Sequence, residues 1–184
     1  MKLTSDKIVT QKLREEGVYS WEDAILFIQK LPYGRNSNRK DLLLVLSEAK
    51  GTCSSKHAFL KELANENGFK FVNLYIGVYK MNSINTPKIG TVLSEYNLDH
   101  IPEAHCFLKS NGVPLDVTTA TSDFSRIENE ILEEVEIEPH QVSEYKITMH
   151  QEFLRKWIQR HNIRFTFEEI WNIRERCIQN LAKS

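Results

Sequence analysis

The sequence predicts an α+β fold in which N-terminal helices pack on an antiparallel sheet and further helices close the chain. Three observations indicate this class. Apolar residues recur at helical spacing before Gly68, alternate along the chain directly after it, and return to helical spacing beyond about residue 145. The 184 residues contain no repeat and no Gly/Pro-rich linker, so we expect a single domain over 1–184.

The first predicted helix begins at Ser20-x-x-Asp23, which has the spacing of a capping box, and it ends before Pro32. Residues three and four positions apart share one face of a helix, so the spacing of the apolar residues indicates which face of this helix is buried. This side is expected to hold Trp21, Ala24, Ile25, Ile28 and Leu31.

Two more helices are expected on either side of Gly51. The earlier one is predicted to end near Gly51 and to hold Leu42, Leu43 and Leu46. The later one is predicted to run from about Cys53 to Asn67, with Gly68 as its C-terminal stop. Its inward residues are expected to be Leu60, Leu63 and Ala64.

After Gly68 the period of two predicts a strand, whose buried face is expected to hold Val72, Leu74, Ile76 and Val78. The stretch from Lys80 to Glu103 has no sustained period and predicts a long loop, with one helical turn near Val92–Tyr96. Loops of this length are often functional, which makes this one a candidate gate to a cleft.

The clearest local signal is a hairpin over Ala104–Thr118, where two alternating runs flank Asn111-Gly112. This dipeptide suits a type I′ turn, because both central positions need a positive φ. In the resulting register Ser110 opposes Val113, Phe107 opposes Asp116 and His105 opposes Thr118. His105 and Asp116 then form a diagonal pair on one face, about 7 Å apart at the backbone.

The end of the chain predicts one strand and two helices. The strand spans Ile131–Ile137, and its solvent-exposed face is expected to hold Glu134, Glu136 and Glu138. The first helix is expected to bury Phe153, Leu154, Trp157 and Ile158. The second begins at the capping box Thr166-x-x-Glu169, and its inward residues are expected to be Phe167, Ile170, Trp171, Cys177 and Leu181.

Composition limits the function classes. Lys and Arg number 24 against 25 Asp and Glu, a formal charge of -1, so we expect no nucleic-acid or membrane partner. No apolar run approaches the roughly 18 residues of a membrane span, and residues 1–17 contain no apolar signal region. We therefore expect a cytoplasmic protein whose three cysteines are reduced thiols.

Cys53 is the candidate nucleophile. It lies in the stretch GTCSS, where a Gly-containing turn leads directly into a helix. The unpaired N–H groups and the positive end of the helix dipole favour a thiolate there, and the amide of Cys53 could help to hold an oxyanion. On the hairpin, Asp116 could fix the tautomer of His105 and leave its second nitrogen to face the thiol.

Two alternatives use the same residues. His57 follows Cys53 by one helical turn and competes as a base, but it has no evident orienting partner and is expected to be partly exposed surface. A metal site formed by Cys53, His57, His105 and Cys106 fails on geometry, because adjacent strand residues point to opposite faces. We expect Cys106 and Cys177 to be core residues.

Cys, His and Asp in this order resemble the transglutaminase-like superfamily, a papain-like fold with a Cys-His-Asp triad. The matching stretches are LPYGRNSNRKDLLLVLSEAKGTCSSKHAFLKELANENGF and EAHCFLKSNGVPLDVTT. The resemblance implies Cys53 as nucleophile, His105 as general base and Asp116 as orienting acid. It places the core at about 20–120 and leaves about 145–184 as a C-terminal helical extension. Phe107 stands where the family often has Trp.

The resemblance implies acyl transfer or amide hydrolysis on a peptide or protein substrate through a thioester, with no cofactor and no metal. Whether water or an amine resolves the thioester stays open. Tyr33 resembles the family's upstream tyrosine and is a candidate oxyanion donor, with Asn36 and Asn38 as substitutes. The alternative is a catalytically inactive transglutaminase-like module that binds or regulates.

The remaining histidines have no partner that is visible in the sequence and are expected to be loop or surface residues. These are His100, His140, His150 and His161. A basic group could bind phosphate, although a solvated face is favoured for Arg155, Lys156, Arg160, Arg164, Arg174 and Arg176.

Overall fold

The computed structural model describes residues 1–182. Its elements, in chain order, are α1 (Ile8–Glu15), α2 (Trp21–Lys30), α3 (Leu44–Ser47), α4 (Cys53–Glu66), β1 (Val72–Met81), α5 (Val92–Glu95), β2 (Ile101–Ser110), β3 (Val113–Leu115), α6 (Ser125–Glu128), β4 (Ile131–Ile137), α7 (Glu144–Arg160) and α8 (Phe167–Ala182). The strands form one antiparallel sheet in the order β3-β2-β1-β4. The predicted α+β class is confirmed.

The chain divides into two compact units, each assembled from separate segments. The first consists of Met1–Ile76, Cys106–Phe124 and Val135–Ser143. The second consists of Gly77–His105, Ser125–Glu134 and residues 144–182. The boundaries fall inside β1, β2 and β4, so each of these strands contributes residues to both units. A single domain over 1–184, with a core at about 20–120 and an extension at about 145–184, stays a prediction.

Helix α4 is the centre of the first unit. It begins at Cys53 and ends one residue before the predicted limit, with Gly68 at a φ of 71° directly beyond. Its predicted inward residues are fully buried: Leu60, Leu63 and Ala64. It packs against α1, α2, α3 and the 3₁₀ turn Pro139–Val142. The start of α4, which carries Cys53, is therefore held by the core of its unit.

Helices α2 and α3 precede α4. Ser20 caps α2 by accepting a 3.1 Å hydrogen bond from the amide of Asp23, as predicted. The predicted second helix is reduced to the four residues of α3, because turns with i→i+3 hydrogen bonds occupy its first residues. Its fully buried residue is Val45, while Leu42, Leu43 and Leu46 are half-buried, and Leu42 and Leu43 precede the helix.

The hairpin confirms the predicted turn and register. Asn111 and Gly112 have φ values of 50° and 81°, as the type I′ turn requires. Strand β2 pairs with β3 through Ser110↔Val113, Lys109↔Pro114 and Leu108↔Leu115. Strand β3 ends at Leu115, so the predicted pairs Phe107–Asp116 and His105–Thr118 lie outside the ladder.

In the second unit, the predicted loop is shorter than Lys80–Glu103, because β1 extends to Met81 and β2 begins at Ile101. The predicted helical turn is present as α5. Helix α8 has the predicted capping box, in which Thr166 and Glu169 bind each other's amides at 3.2 and 2.8 Å. It packs against α5, α7 and the 3₁₀ turn Pro87–Ile89.

Within residues 1–182, no helix combines the length and the apolar character that crossing a membrane requires.

Candidate functional site

Cys53 is the first residue of α4 and lies between the two residues of a complete capping box, Thr52 and Ser55. The hydroxyl of Thr52 accepts a 3.4 Å bond from the amide of Ser55, and the hydroxyl of Ser55 accepts a 2.9 Å bond from the amide of Thr52. The thiol of Cys53 is half-buried and lies 3.9 Å from the hydroxyl of Ser54. It therefore lies at the positive end of a 14-residue helix, as predicted.

Gly51 closes the turn in front of the nucleophile. Its backbone forms an isolated parallel bridge with Tyr33, through 3.1 Å hydrogen bonds that involve Pro32 and Gly34. A Cβ atom at Gly51 would lie 2.8 Å from Cγ of Lys56, so the site needs glycine for close approach rather than for an unusual φ. Tyr33 thus runs beside the segment that leads into Cys53. Its role as an oxyanion donor stays a prediction.

The two predicted substitutes for Tyr33 are engaged in loop contacts. Asn36 donates through Nδ2 to the carbonyl oxygens of Leu44 and Lys50, at 3.1 and 3.0 Å, and to the carboxylate of Glu48. Asn38 accepts a 3.0 Å bond from the amide of Lys40. Both side chains therefore shape the loop before α3.

Lys56 is a buried residue of the site that the sequence analysis missed. Its side chain is fully buried, and Nζ donates to the carbonyl oxygens of Leu31 at 2.5 Å and Thr118 at 2.7 Å. Burial lowers the pKa of Lys56 to about 8, and the charges of Asp116 and Cys53 oppose that shift. A signal was available, because Lys56 is in phase with the inward residues Leu60 and Leu63.

Asp116 lies directly after β3 and forms a tight turn. Its Oδ1 accepts hydrogen bonds from the amide of Thr118 at 2.9 Å and from the hydroxyl of Thr118 at 2.6 Å. Its side chain is only 8% exposed. Thr118 therefore links the two charged groups, because its amide and hydroxyl bind Asp116 while its carbonyl binds Lys56.

His57 is fully buried, so the expectation of a partly exposed surface residue is wrong. Its Nε2 accepts a 2.8 Å bond from the amide of Val117, so Nδ1 carries the proton and donates to the carbonyl of Cys53 at 2.7 Å. Asp116 lies 3.6 Å from Nε2, beyond hydrogen-bond distance. Because both ring nitrogens are engaged, His57 holds the α4 terminus against the 116–118 segment and is not positioned as a base.

The predicted base, His105, belongs to the second unit. It lies on β2, is partly buried, and packs its ring edge-on against Tyr79 with 6.2 Å between centroids. The next residue, Cys106, belongs to the first unit, and its thiol lies 3.7 Å from the hydroxyl of Ser54. The structure thus brings Cys53, Asp116 and Tyr33 into one unit, and the Cys-His-Asp triad stays a prediction.

The other cysteines and Phe107 are core residues. Cys106 and Cys177 are fully buried, as predicted, and burial raises the pKa of Cys177 to about 11. Phe107 is also fully buried and packs against Tyr75 and Phe124, with centroids 5.7 and 4.4 Å away. Among residues 1–182, no group of three or more His, Cys, Asp or Glu side chains is arranged to hold a metal ion.

The second unit contains a buried ionic cluster. Glu103 is bound by two guanidinium nitrogens of Arg174, at 2.7 and 2.6 Å. His150 is only 2% exposed and has Nε2 2.9 Å from the carbonyl of Pro102, so its predicted surface position is wrong. Desolvation lowers the pKa of His150.

The basic group is mostly exposed, as predicted, apart from the partly buried Arg174. Arg176 binds Glu95 at 2.6 Å, and the guanidinium of Arg155 lies 3.9 Å from the ring centroid of Phe167. These contacts favour a solvated face rather than a phosphate site.

Comparisons of the chain with protein-family models, with curated proteins and with solved structures find no match. The resemblance to the transglutaminase-like superfamily therefore depends on the motifs around Cys53, His105 and Asp116 alone.

Proposed function

We propose that this protein is a transglutaminase-like cysteine hydrolase or acyltransferase with a papain-like core, acting on a peptide or protein substrate in the cytoplasm. One observation carries the proposal. A half-buried thiol, Cys53, begins a capped 14-residue helix, and the buried ammonium of Lys56 interacts electrostatically with both Cys53 and Asp116. Such an electropositive, partly exposed setting is typical of reactive cysteines rather than of structural ones.

Two features favour the thiolate of Cys53. The first turn of α4 presents backbone N–H groups and the positive end of the helix dipole. Lys56 adds a full positive charge in a dry environment, where charges interact more strongly than in water. Both effects act on the nucleophile before any substrate binds.

The reaction has two balanced steps. The thiolate of Cys53 attacks the carbonyl carbon of an amide, the C–N bond breaks, and the leaving amine takes a proton from the imidazolium of His105, which leaves a thioester. Water or a second amine then gives a proton to His105 and attacks the thioester, the C–S bond breaks, and the thiolate of Cys53 and the imidazolium of His105 are regenerated. Hydrolysis follows from water, and acyl transfer follows from the amine.

The roles of His105 as the base and of Asp116 as the residue that orients it are assigned from the sequence motifs. The amide of Cys53 and the hydroxyl of Tyr33 are the proposed donors to the oxyanion. The competing base His57 is excluded by its two hydrogen bonds, which leave no nitrogen for proton transfer.

The test measures iodoacetamide alkylation of Cys53 against pH, by mass spectrometry of the peptide that contains it. We expect rapid labelling that persists well below the ordinary thiol pKa of about 8.5 and is lost in His105→Ala. The matched control is His161→Ala, which removes an exposed histidine of the second unit. Ordinary thiol titration in the unaltered protein would contradict the enzyme and favour the binding module.

A second readout tests the covalent step. Intact-mass spectrometry after incubation with a glutamine-containing peptide or a small activated ester should show one acyl group on the unaltered protein and none on Cys53→Ser. Release of the acyl group in water indicates a hydrolase, whereas faster release with added amine indicates a transferase. Absence of acylation across all donors would contradict the proposal.

A further inference from the structure

Lys56 has an unusual position for a lysine. The side chain is fully buried, although lysine is almost never fully buried without a charged partner. Both hydrogen-bond partners of Nζ are neutral carbonyl oxygens, those of Leu31 and Thr118. The cost of burying this charge is therefore not offset by a direct salt bridge, and the two bonds do not by themselves explain why a charge is needed.

The groups that face Lys56 identify its role. From its own helix it interacts with Cys53, which precedes it by three residues and shares its helical face. From the segment after β3 it interacts with Asp116, whose turn is tied to Lys56 through Thr118. At the end of α2, the carbonyl of Leu31 accepts a hydrogen bond from its ammonium. Both charged neighbours are residues of the candidate site.

The direction of the side chain fits this arrangement. Long side chains on a helix lean towards its N-terminus, which brings Nζ of Lys56 towards the first turn of α4. The glycine at position 51 makes room for it, since a Cβ there would lie 2.8 Å from Cγ of Lys56. Gly51, Cys53 and Lys56 therefore form one local unit.

We propose that Lys56 is a positioning residue of the Cys53 site, whose buried ammonium holds the Asp116–Thr118 turn against the start of α4 and favours the thiolate of Cys53. This inference rests on the proposed function, because it assigns Cys53 as the nucleophile. Lys56 has two separable actions. Its hydrogen bonds fix the position of the turn, and its charge acts on the thiol.

Two variants separate these actions. Lys56→Met removes the charge and the donors in a side chain of similar volume, while Lys56→Gln removes the charge and keeps an amide nitrogen with two donors. The matched control is Lys61→Met. Lys61 is another buried lysine of α4, which donates to the carbonyl of Val72 at 2.8 Å.

The experiment is the pH profile of Cys53 alkylation in the unaltered protein and in these three variants. We expect both Lys56 variants to raise the pH midpoint by about one unit, which slows labelling at pH 7 by roughly tenfold. Lys61→Met should leave the midpoint unchanged. An unchanged midpoint in folded Lys56→Gln, or an equal shift in Lys61→Met, would overturn the inference.

A reciprocal measurement does not require any change at Lys56. Because coupling between two charges is mutual, Cys53→Ala should lower the pH at which the Lys56 side chain titrates, followed by NMR of lysine carbons labelled at Cε. An identical Lys56 titration in both proteins would overturn the inference even if the Lys56 variants do not fold.

The two proposals fail in distinguishable ways. If the unaltered thiol titrates ordinarily but the Lys56 variants raise its midpoint further, the enzyme fails and the role of Lys56 stands. If the unaltered thiol is activated and depends on His105 but not on Lys56, the enzyme stands and the role of Lys56 is overturned.

Discussion

The two compact units bury charge in different ways. In the second unit, Glu103 and Arg174 form a bidentate ion pair, so each charge meets an opposite charge at hydrogen-bond distance. In the first unit, the ammonium of Lys56 meets two neutral carbonyl oxygens, and the charges of Asp116 and Cys53 act on it without a direct ion pair.

This difference is the basis for our proposal that Lys56 has a functional role, whereas the Glu103–Arg174 pair has a structural one. Burial alone would raise the pKa of Glu103, but Arg174 and His150 lower that pKa below its ordinary value. The charge of Glu103 is therefore compensated within its own cluster. The charge of Lys56 is not neutralised by its own hydrogen bonds and remains directed at its neighbours. A buried charge of this second kind lowers stability, and we propose that it acts on the thiol of Cys53.

The largest expected effect is the loss of Arg174. Arg174→Met leaves the Glu103 carboxylate buried without its partner, and we expect about 3–5 kcal/mol of destabilisation at pH 7, measured by urea unfolding. The control Arg176→Met removes an exposed ion pair with Glu95 and should destabilise the protein much less, because solvent screens exposed charges. Equal effects of the two variants would contradict the distinction between the buried pair and the exposed one.

The same pair predicts a pH dependence. Because the folded-state pKa of Glu103 is lowered, its contribution to stability is present above the ordinary pKa of 4.5 and is lost as pH falls through the folded value. The gap in unfolding free energy between the unaltered protein and Arg174→Met should therefore narrow in acid. A gap that is constant from pH 7 to 3 would contradict this linkage.

Lys56 predicts a change in the same direction, but in an alkaline window. Its folded-state pKa is lowered from 10.5 to about 8, so the unfolded chain binds more protons between these values and stability rises with pH there. Relative to Lys56→Met, the unfolding free energy of the unaltered protein should rise by roughly 3 kcal/mol over this window. Lys61→Met, measured in the same way, provides the baseline.

A substitution at Gly51 tests whether the buried position of Lys56 depends on the backbone next to it. Gly51→Ala places a Cβ 2.8 Å from Cγ of buried Lys56 and 2.9 Å from the capping hydroxyl of Ser55. We expect about 1–3 kcal/mol of destabilisation and slower alkylation of Cys53. In the control Gly34→Ala, the added Cβ would lie 3.1 Å from Cδ of Lys50. The Lys50 side chain is 42% exposed and can move away.

The smallest expected effect concerns the helix caps. Thr52→Ala removes the cap of α4 and should cost about 1 kcal/mol, while Thr52→Ser restores most of it. Thr166→Ala removes the equivalent cap of α8. Both alanine variants should lose similar stability in thermal unfolding, but only Thr52→Ala should slow the alkylation of Cys53. Slower alkylation in Thr166→Ala would show that global stability controls the thiol.

Local signals predicted the elements that local chemistry determines. The turn at Asn111-Gly112, the start of α4 at Cys53 and the strand Ile131–Ile137 all match the structure, because turn residues, caps and short-range periodicity specify them. Helix α1 was missed. Its N-terminal amides at Val9 and Thr10 are bound by the carboxylate of Glu66, which lies 57 and 56 residues away.

The candidate site shows the same limit. Cys53 could be predicted as a nucleophile because its helix start is visible in the sequence. His57 and Lys56 could not be assigned from their residue types, which usually indicate surface, although their spacing from Leu60 places them on the buried side of α4. The burial of His150 was missed because the residues that surround it, Pro102 and Glu103, come from a distant segment of the chain.

By itself, the sequence determined the order of the strands and of the longer helices after α1, the hairpin register and the position of Cys53 at a helix start, because each depends on residues within a few positions of one another. Only the tertiary structure decided the roles of the buried polar groups. In the folded chain, the imidazole of His57 accepts a hydrogen bond from the amide of Val117, and the ammonium of Lys56 donates one to the carbonyl of Thr118. The carboxylate of Glu103 accepts one from Arg174. Burial makes these partners necessary, and burial is a property of the folded chain.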